Sequence, residues 1–207
     1  MRLGRTSLLI WTVALTLAMA GAASAQNLLT NWGFENPIGT EWTFQGISGN
    51  LASWSWGVST AKYHSGTSSL LLQFANDNTG SAYVEQVLSG LAPGATYNIS
   101  GWIYHGFRAD KSWSSIQAYS GNSILQAPAK GANVLTTWTQ YNFTQTADSG
   151  GGMLFRLYVN KYGTTTGGKI AYACFDDLSV TAVPEPSGLL ALLAGLPAVG
   201  LAVRRRK

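Results

Sequence analysis

Apolar and polar residues alternate in short runs between residues 26 and 182, and no long stretch repeats every three or four positions. Alternation of this kind predicts β-strands, because successive side chains of a strand point to opposite faces of its sheet. Clusters of Gly, Asn, Asp and Ser separate the runs. We predict strands at residues 28–34, 67–74, 83–88, 96–105, 115–119, 137–144, 153–160 and 170–180. That many strands in one body predict an all-β domain, a two-sheet antiparallel jelly-roll sandwich.

Three of these strands, 96–105, 115–119 and 153–160, have one apolar face and one face that mixes aromatic with hydrogen-bonding side chains. If the three strands lie side by side, their second faces form one surface. Flat rings stack on sugars, and amide or guanidinium groups bind sugar hydroxyls. The predicted sugar-binding residues are Trp102, Tyr104, Gln117, Tyr119, Arg156 and Tyr158. The alternative is that these aromatic side chains pack under a loop or simply suit a pleated surface.

Charge is concentrated at the two ends of the chain. The formal net charge is +4, but only seven basic residues stand against eight acidic ones between residues 26 and 182. Nucleic-acid binding requires a basic face, so this nearly neutral body argues against it. Low charge with abundant aromatic residues is typical of extracellular β-domains. Cys174 is the single cysteine, which excludes an intramolecular disulfide.

Residues 1–25 have the three parts of a secretory signal peptide. Arg2 and Arg5 precede an apolar run over residues 8–20, and Ala23-Ser24-Ala25 follows with the small residues that signal peptidase requires. The mature chain is therefore predicted to begin at Gln26. The alternative is a retained membrane span, for which the apolar run is short.

Residues 183–207 form a second sorting segment. Pro184-Glu185-Pro186 is followed by an apolar helix at 187–203 and a basic end at 204–207. The segment resembles the PEP-CTERM sorting signal of Gram-negative, exopolysaccharide-producing bacteria. The resemblance implies an exosortase partner and inner-membrane anchoring before processing. The protein would then reside in the cell envelope or extracellular matrix. A plain membrane anchor without processing is the alternative.

The body, residues 26–182, resembles carbohydrate-binding modules of the cenC type, families 4, 9, 16 and 22, which are galactose-binding-like jelly rolls. The residues that carry the match lie at 27–35, 65–70, 91–102, 138 and 175–180. The resemblance implies a possible structural Ca²⁺ held by Glu35 and Asp176. Because Asp176 has the parity of Leu178 and Val180, we expect it to point inward and to need a partner. A salt bridge or hydrogen bonds from loop amides are the alternative.

No catalytic constellation is present in the sequence, and we predict that the protein is not an enzyme. Neither His64 nor His105 belongs to a nucleophile or metal motif, and His105 reads as an exposed or capping residue. The leading hypothesis is an exported, non-catalytic carbohydrate-binding protein of the envelope or exopolysaccharide. The alternatives are a structural or adhesive surface protein without a sugar site and, third, a small glycan-active enzyme.

Overall fold

The structure is a computed structural model that describes residues 26–48, 54–74, 79–106, 112–120, 123–130, 135–161 and 170–183. It does not describe the side chains of Ser48 or of residues 123–130 and 135–136. The predicted signal peptide, 1–25, and the predicted sorting helix and basic end, 187–207, lie outside these residues. Within the described ranges, no helix has the length and apolar character that a membrane crossing needs.

The described residues form ten β-strands arranged in two five-stranded sheets. The strands are β1 Thr43–Ser48, β2 Trp54–Ser59, β3 Ser69–Phe74, β4 Gly80–Leu88, β5 Thr96–Gly106, β6 Ser112–Ser120, β7 Ser123–Lys130, β8 Leu135–Thr146, β9 Met153–Lys161 and β10 Ala171–Ala182. The first sheet has the order β1-β4-β9-β6-β7, and the second has the order β2-β3-β10-β5-β8. The strand pairs are antiparallel. The predicted two-sheet antiparallel sandwich is confirmed.

The core lies between the two sheets and is built from the alternate residues of each strand. In β9, buried residues alternate with half-buried ones along the whole strand, as the sequence pattern predicts. Phe155 and Leu157 of β9 and Ile103 of β5 are fully buried. Each such side chain contributes about 1.5–3 kcal/mol by leaving water. This burial decides which face of each strand remains outside and available to a ligand.

Residues 28–34 are not a strand, contrary to the prediction. The segment turns at Asn31 and Phe34, whose φ values of 49° and 54° lie in the left-handed region. Its backbone bonds to β10 at two points: Leu28 donates its N–H to Val180, and Trp32 accepts the N–H of Leu178. The apolar spacing that suggested a strand instead sends the ring of Phe34 into the core from a turn.

Three strands were missed by the sequence analysis: β1, β2 and β7. Each one lies at the edge of its sheet. Edge strands bury less side-chain surface than central strands, so their alternation is weaker. β7 also contains Pro128, and proline within a sheet is confined to edges and bulges.

Candidate functional site

The six predicted sugar-binding residues do not form one surface. Strand β5, which carries Trp102 and Tyr104, belongs to the second sheet between β10 and β8. Strands β6 and β9 are neighbours in the first sheet. The outer face of the first sheet therefore groups four of the predicted residues: Gln117, Tyr119, Arg156 and Tyr158. The assumption that all three strands lie side by side was wrong, because order along the chain does not determine order within a sheet.

The outer face of the first sheet carries a band of aromatic and polar side chains across β4, β9 and β6. Directly paired residues of antiparallel strands point to the same side, so the register arranges this band in three rows. The rows are Ser81, Asn160 and Trp113; Tyr83, Tyr158 and Ser115; and Glu85, Arg156 and Gln117. Tyr119 lies beyond the third row on β6. We call these ten residues the polar–aromatic face.

Arg156 organises one half of the polar–aromatic face. Its Nε donates to Oε2 of Glu85 at 2.7 Å, and one terminal nitrogen donates to the hydroxyl of Tyr83 at 3.2 Å. Its guanidinium carbon lies 3.9 Å from the ring centroid of Tyr83 and 4.6 Å from that of Tyr119. The cation is thus paired with a carboxylate and flanked by two rings, which holds both rings in place.

Gln117 supports this half from beneath. Its side chain is only 5 % exposed, and its Oε1 accepts the hydroxyl of Tyr119 at 2.7 Å. Its Nε2 donates to the hydroxyl of Ser115 at 2.9 Å. Gln117 therefore orients Tyr119, whereas the half-buried rings above it are the part that a ligand can reach.

The other half of the polar–aromatic face is built on an aromatic pair. The rings of Trp113 and Tyr158 lie 4.9 Å apart at 45°. The side chain of Asn160 donates from Nδ2 to the hydroxyl of Tyr158 at 3.1 Å. Its Oδ1 is buried and accepts no hydrogen bond from any residue that the structure describes. Two half-buried rings that lie against each other offer apolar surface suited to the C–H groups of a sugar ring.

Four members of the polar–aromatic face, Tyr83, Glu85, Trp113 and Asn160, are not among the six predicted sugar-binding residues. Period-two alternation does place Tyr83 and Glu85 on one face of β4, opposite Val84. What the pattern lacks is the pairing of β4 with β9, which depends on contacts between residues 65 to 81 positions apart. The sequence shows the residue types, but it does not show which strands are neighbours in the sheet.

Trp102 and Tyr104, the two predicted sugar-binding residues of the second sheet, contact the loop before β3. The imidazole of His64 stacks on Trp102 with ring centroids 3.8 Å apart and planes at 16°. Nδ1 of His64 lies 2.6 Å from Oδ2 of Asp177, which anchors the loop to β10. Tyr104 packs between Trp138 and Tyr172, at 5.8 and 6.3 Å. For Trp102, this arrangement matches the alternative in which the ring packs under a loop, because the imidazole of His64 covers one face of the ring.

Asp176 is buried, but it does not point into the core as its parity predicted. A β-bulge lies between Asp176 and Ser179, so that one position of β5, Gly101, faces two residues of β10. Asp177 has a φ of 46° there. Asp176 therefore shares the outward side of its partner Trp102, while Leu178 returns to the core. The parity argument failed because a bulge shifts every later residue by one position.

The carboxylate of Asp176 is covered by the loop before β3. Its Oδ2 accepts the N–H of His64 at 2.7 Å and of Ser65 at 3.2 Å, and its Oδ1 accepts the N–H of Asp177 at 2.8 Å. Burial raises the pKa of Asp176 above its ordinary value, and these hydrogen bonds act in the opposite direction. The backbone amides compensate a charge that would otherwise be costly to bury.

Glu35 binds the other end of the same loop. Its Oε1 accepts the N–H of Thr67 at 2.9 Å and of Ser68 at 3.1 Å, and its Oε2 accepts the hydroxyl of Thr67 at 2.7 Å. The hydrogen bond from the Thr67 side chain is the main cause of a lowered pKa of Glu35. Glu35 and Asp176 therefore hold the segment 64–68 in place through hydrogen bonds. We call these two carboxylates the clamps of the loop.

The donor set at these clamps differs from the shell that calcium requires. Calcium takes six to eight oxygen ligands. Here the carboxylate oxygens of Glu35 and Asp176 accept hydrogen bonds from N–H and O–H groups, which is the loop-amide alternative. Among the described residues, no three His, Cys, Asp or Glu side chains form a group able to hold a metal ion. The arrangement does not by itself call for a cation.

The fold and the face agree with a sequence relationship. Residues 26–166 match the sequence profile of CBM_4_9, a carbohydrate-binding domain family. The chain belongs to this family. The match covers more than half of the chain and confirms the predicted resemblance to carbohydrate-binding modules. No curated protein sequence matches the chain.

Solved proteins with different described activities share the fold of this domain. TmCBM61, solved with β-1,4-galactotriose, is 16 % identical with a TM-score of 0.57, and the match covers 77 % of this chain and 100 % of that one. The CBM22-1 xylan-binding domain of Paenibacillus barcinonensis Xyn10C is 16 % identical with a TM-score of 0.52, covering 80 % and 99 %. An apo cyclase of Fischerella sp. is 19 % identical with a TM-score of 0.56, covering 79 % and 98 %. At these identities the likeness concerns the fold alone.

Proposed function

We propose that the protein is a non-catalytic carbohydrate-binding protein that holds an uncharged polysaccharide on the polar–aromatic face. The observation that carries this proposal is the half-buried pair of Trp113 and Tyr158, whose ring centroids lie 4.9 Å apart on the outer side of the first sheet. The rings offer apolar surface to the C–H groups of a sugar, and the neighbouring amides and hydroxyls bind its hydroxyl groups. Membership of a carbohydrate-binding family supports the same conclusion.

The charges of the face favour an uncharged ligand. Along the outward positions of β4, β9 and β6 within the described residues, Glu85 and Arg156 are the charged side chains. They neutralise each other through the 2.7 Å hydrogen bond. An acidic polysaccharide would have to compete with Glu85 for the guanidinium group. A neutral polysaccharide meets no such cost.

The same face lacks the groups for glycoside hydrolysis. That reaction ordinarily uses two carboxyl groups on opposite sides of one bond. Glu85 is the single carboxylate on the described outward positions of β4, β9 and β6, and it is paired with Arg156. Binding without bond cleavage is what these residues support.

Affinity measurements with Trp113→Ala and Tyr158→Ala test the proposal. The purified protein is titrated by calorimetry with galactan, xylan, mannan and β-glucan. We expect one of these to bind, and each substitution to weaken it by about tenfold or more through lost stacking. Asn142→Ala, on the outer face of the second sheet, is the control with unchanged affinity. Equal affinity of Trp113→Ala and the wild type would refute the proposed site.

A structural or adhesive role is the second candidate. Ile47 lies on β1, the edge strand of the first sheet, and is 56 % exposed. Val87 lies on the neighbouring strand β4 and is 69 % exposed. Such side chains suit contact with another protein. A folded protein that binds none of the four polysaccharides would favour this role.

The proposal includes export and sorting, and the sequence is what supports this part of it. We expect cleavage after Ala25, insertion of residues 187–203 into the inner membrane, and processing by an exosortase before release to the envelope or matrix. The mass of the protein recovered from envelope and medium of the native host tests this. Replacement of Pro184 and Pro186 by alanine should leave the protein in the membrane fraction if the processing enzyme reads that motif.

The Ca²⁺ ion that the family resemblance implies at Glu35 and Asp176 can be tested by thermal unfolding with Ca²⁺ and with EDTA. Because the carboxylates of Glu35 and Asp176 already accept several hydrogen bonds, we expect excess Ca²⁺ to raise Tm by less than about 2 °C over EDTA. A rise of about 5 °C or more that is lost in Glu35→Gln would show that the loop rearranges to coordinate the ion. Thermal unfolding followed by circular dichroism gives either answer.

A further inference from the structure

An open groove lies between β1 and β2, the edge strands of the first and the second sheet. It is lined by both strands and by the segment 37–39, with Phe44, Trp56 and Val58 among the lining residues. Its volume is about 800 Å³. Small-molecule sites in proteins ordinarily measure about 300–1,000 Å³, so the groove has the size of a ligand site.

Phe44 and Trp56 form the wall of the groove. Their ring centroids lie 5.8 Å apart, and their planes meet at 10°. Register pairs Phe44 with Val84 and Trp56 with Leu72, so both rings point toward the core between the sheets. Because both belong to edge strands, the two rings are half-buried and not fully buried. The uncovered part of each ring is apolar surface that a ligand in the groove can reach.

The groove carries hydrogen-bonding groups without charge. Among the residues that the structure describes, none of those lining it is charged. Thr43 and Gln45 line it, and both are exposed. Edge strands also present backbone N–H and C=O groups that their own sheet does not use. Apolar rings next to uncharged polar groups match a sugar, which combines C–H surface with hydroxyl groups.

The two edge strands are irregular, which disfavours a polypeptide strand as the occupant. The pairing of β1 with β4 shifts register between Gly46 and Ser48. In β2, Gly57 has a φ of 154°, a conformation that residues with a side chain rarely adopt. A bulge or a distorted residue interrupts the regular ladder that an added strand needs. A sugar needs no such ladder.

We propose that this groove is a second carbohydrate site, in which an uncharged sugar contacts the rings of Phe44 and Trp56. The inference takes its ligand class from the proposed function and adds a separate site to it. The groove borders the polar–aromatic face, because Gln45 pairs with Tyr83 of that face. One molecule then holds sugar at two places, which strengthens its attachment to a polysaccharide through multivalency.

The experiment counts the sites. The purified protein is titrated by calorimetry with β-1,4-galactotriose, cellotriose, mannotriose and xylotriose. We expect one of them to bind the wild type at two equivalents per chain. Trp56→Ala removes half of the aromatic wall, and Val58→Lys adds a long charged side chain to the groove. Each should weaken one equivalent by about tenfold or more and leave the other unchanged.

Ile47→Lys is the matched control for Val58→Lys. Ile47 and Val58 are both apolar and exposed, by 56 % and 41 %, but Ile47 does not line the groove. Ile47→Lys should therefore keep both equivalents, and an equal loss in both lysine variants would refute the inference. Because both positions are exposed, we expect Tm of both variants within about 3 °C of the wild type even if Trp56→Ala is destabilised.

Trp113→Ala separates failure of this inference from failure of the proposed function. If the wild type binds one equivalent that Trp113→Ala weakens and the groove variants leave unchanged, the groove is not a site and the proposed function stands. If the groove variants weaken that equivalent and Trp113→Ala does not, the groove binds sugar and the polar–aromatic face does not. If no trisaccharide binds, both proposals are wrong.

Discussion

Trp102 and Trp113 are outward-pointing tryptophans with opposite surroundings. The ring of Trp102 is stacked on the imidazole of His64 at 3.8 Å, whereas the ring of Trp113 is tilted by 45° against that of Tyr158 on the outer face of the other sheet. Both residues are tryptophans, and alternation places both on the outward side of their strands. The difference comes from what lies above each ring.

Trp102→Ala should therefore reduce stability and leave carbohydrate affinity unchanged. The substitution removes the platform of His64 and exposes the carboxylate of Asp176, at a cost of about 2 kcal/mol in the free energy of unfolding. Urea titration measures this loss, and calorimetry should show wild-type affinity for the same polysaccharide. A weakened affinity at unchanged stability would move Trp102 back into the binding site.

His105 is fully buried, contrary to the expectation of an exposed or capping residue. Its Nδ1 lies 2.8 Å from the hydroxyl of Ser114, and its Nε2 lies 2.9 Å from the hydroxyl of Ser112. Each hydroxyl can donate or accept, so the neutral imidazole is satisfied at both nitrogens. Burial lowers the pKa of His105 from 6.5 to about 4.

Stability should fall on acidification below pH 6.5. The unfolded chain binds a proton at His105 near pH 6.5, whereas the folded protein resists doing so until about pH 4. The stabilisation is full above pH 6.5 and declines by up to about 1.4 kcal/mol for each pH unit as protons bind the unfolded state. Urea titrations from pH 7.5 to 5 measure the slope. His105→Gln should abolish it, and an equal slope in that variant would assign the effect to other groups.

At the scale of the elements, the bulge in β10 and the loop before β3 form one unit. The bulge turns Asp176 and Asp177 toward the loop, and Glu35 reaches it from the N-terminal segment. Gly66 lies within this unit at a φ of 63°, where a Cβ atom would overlap the carboxylate of Glu35. Gly94 has a similar φ of 70°, but no atom lies within 4 Å of its Cβ position.

Alanine substitutions at Gly66 and Gly94 can be compared to measure how much the hydrogen bonds of Glu35 contribute to the free energy of unfolding. Gly94→Ala should cost about 1 kcal/mol, the strain of a left-handed alanine alone. Gly66→Ala should cost about 3 kcal/mol, since the methyl group also displaces Glu35 from Thr67 and Ser68. Chemical denaturation compares the variants. In a Glu35→Ala background, the two glycine substitutions should cost the same, and a persistent difference would exclude Glu35 as the cause.

At the scale of the whole molecule, the two outer faces of the sandwich differ in accessibility and charge. The outer side of the second sheet is partly covered by the segment 62–68, whereas seven of the ten residues of the polar–aromatic face on the first sheet are half-buried and three are buried. The one ion pair on that face, Glu85 with Arg156, leaves it without net charge. Neutral ligands therefore suit it best, and their binding should not depend on salt.

Glu85→Gln should change the ligand class. The substitution leaves the guanidinium of Arg156 uncompensated beneath the surface of the face. Affinity for polygalacturonate should rise by about threefold or more and disappear in 0.5 M NaCl through screening. Glu41→Gln makes the same charge change before β1, at a residue that does not belong to the polar–aromatic face, and should have no such effect. Equal gains in both variants would mean that net charge, and not the face, attracts the polysaccharide.

The sequence by itself determined the fold class and the two faces of the long central strands. In β5, β6 and β9, alternation identified the buried side correctly, because burial of one face is a local property that recurs at every second residue. The aromatic and polar types on the other face were equally visible, and they indicated carbohydrate. Composition and the family resemblance pointed in the same direction.

Only the tertiary structure decided which of those faces meet. Pairing of β9 with β4 and β6 brings Arg156 to Glu85 and Tyr158 to Trp113, while pairing of β5 with β10 and β8 sends Trp102 to the opposite side. Because of the bulge after Asp176, the side chain of Asp176 points to the side of the sheet opposite to the one that regular alternation predicts. The physical reason is the same in each case: strand adjacency and a bulge depend on contacts between residues distant in the chain, whereas alternation within one strand reports only which of its two faces is buried.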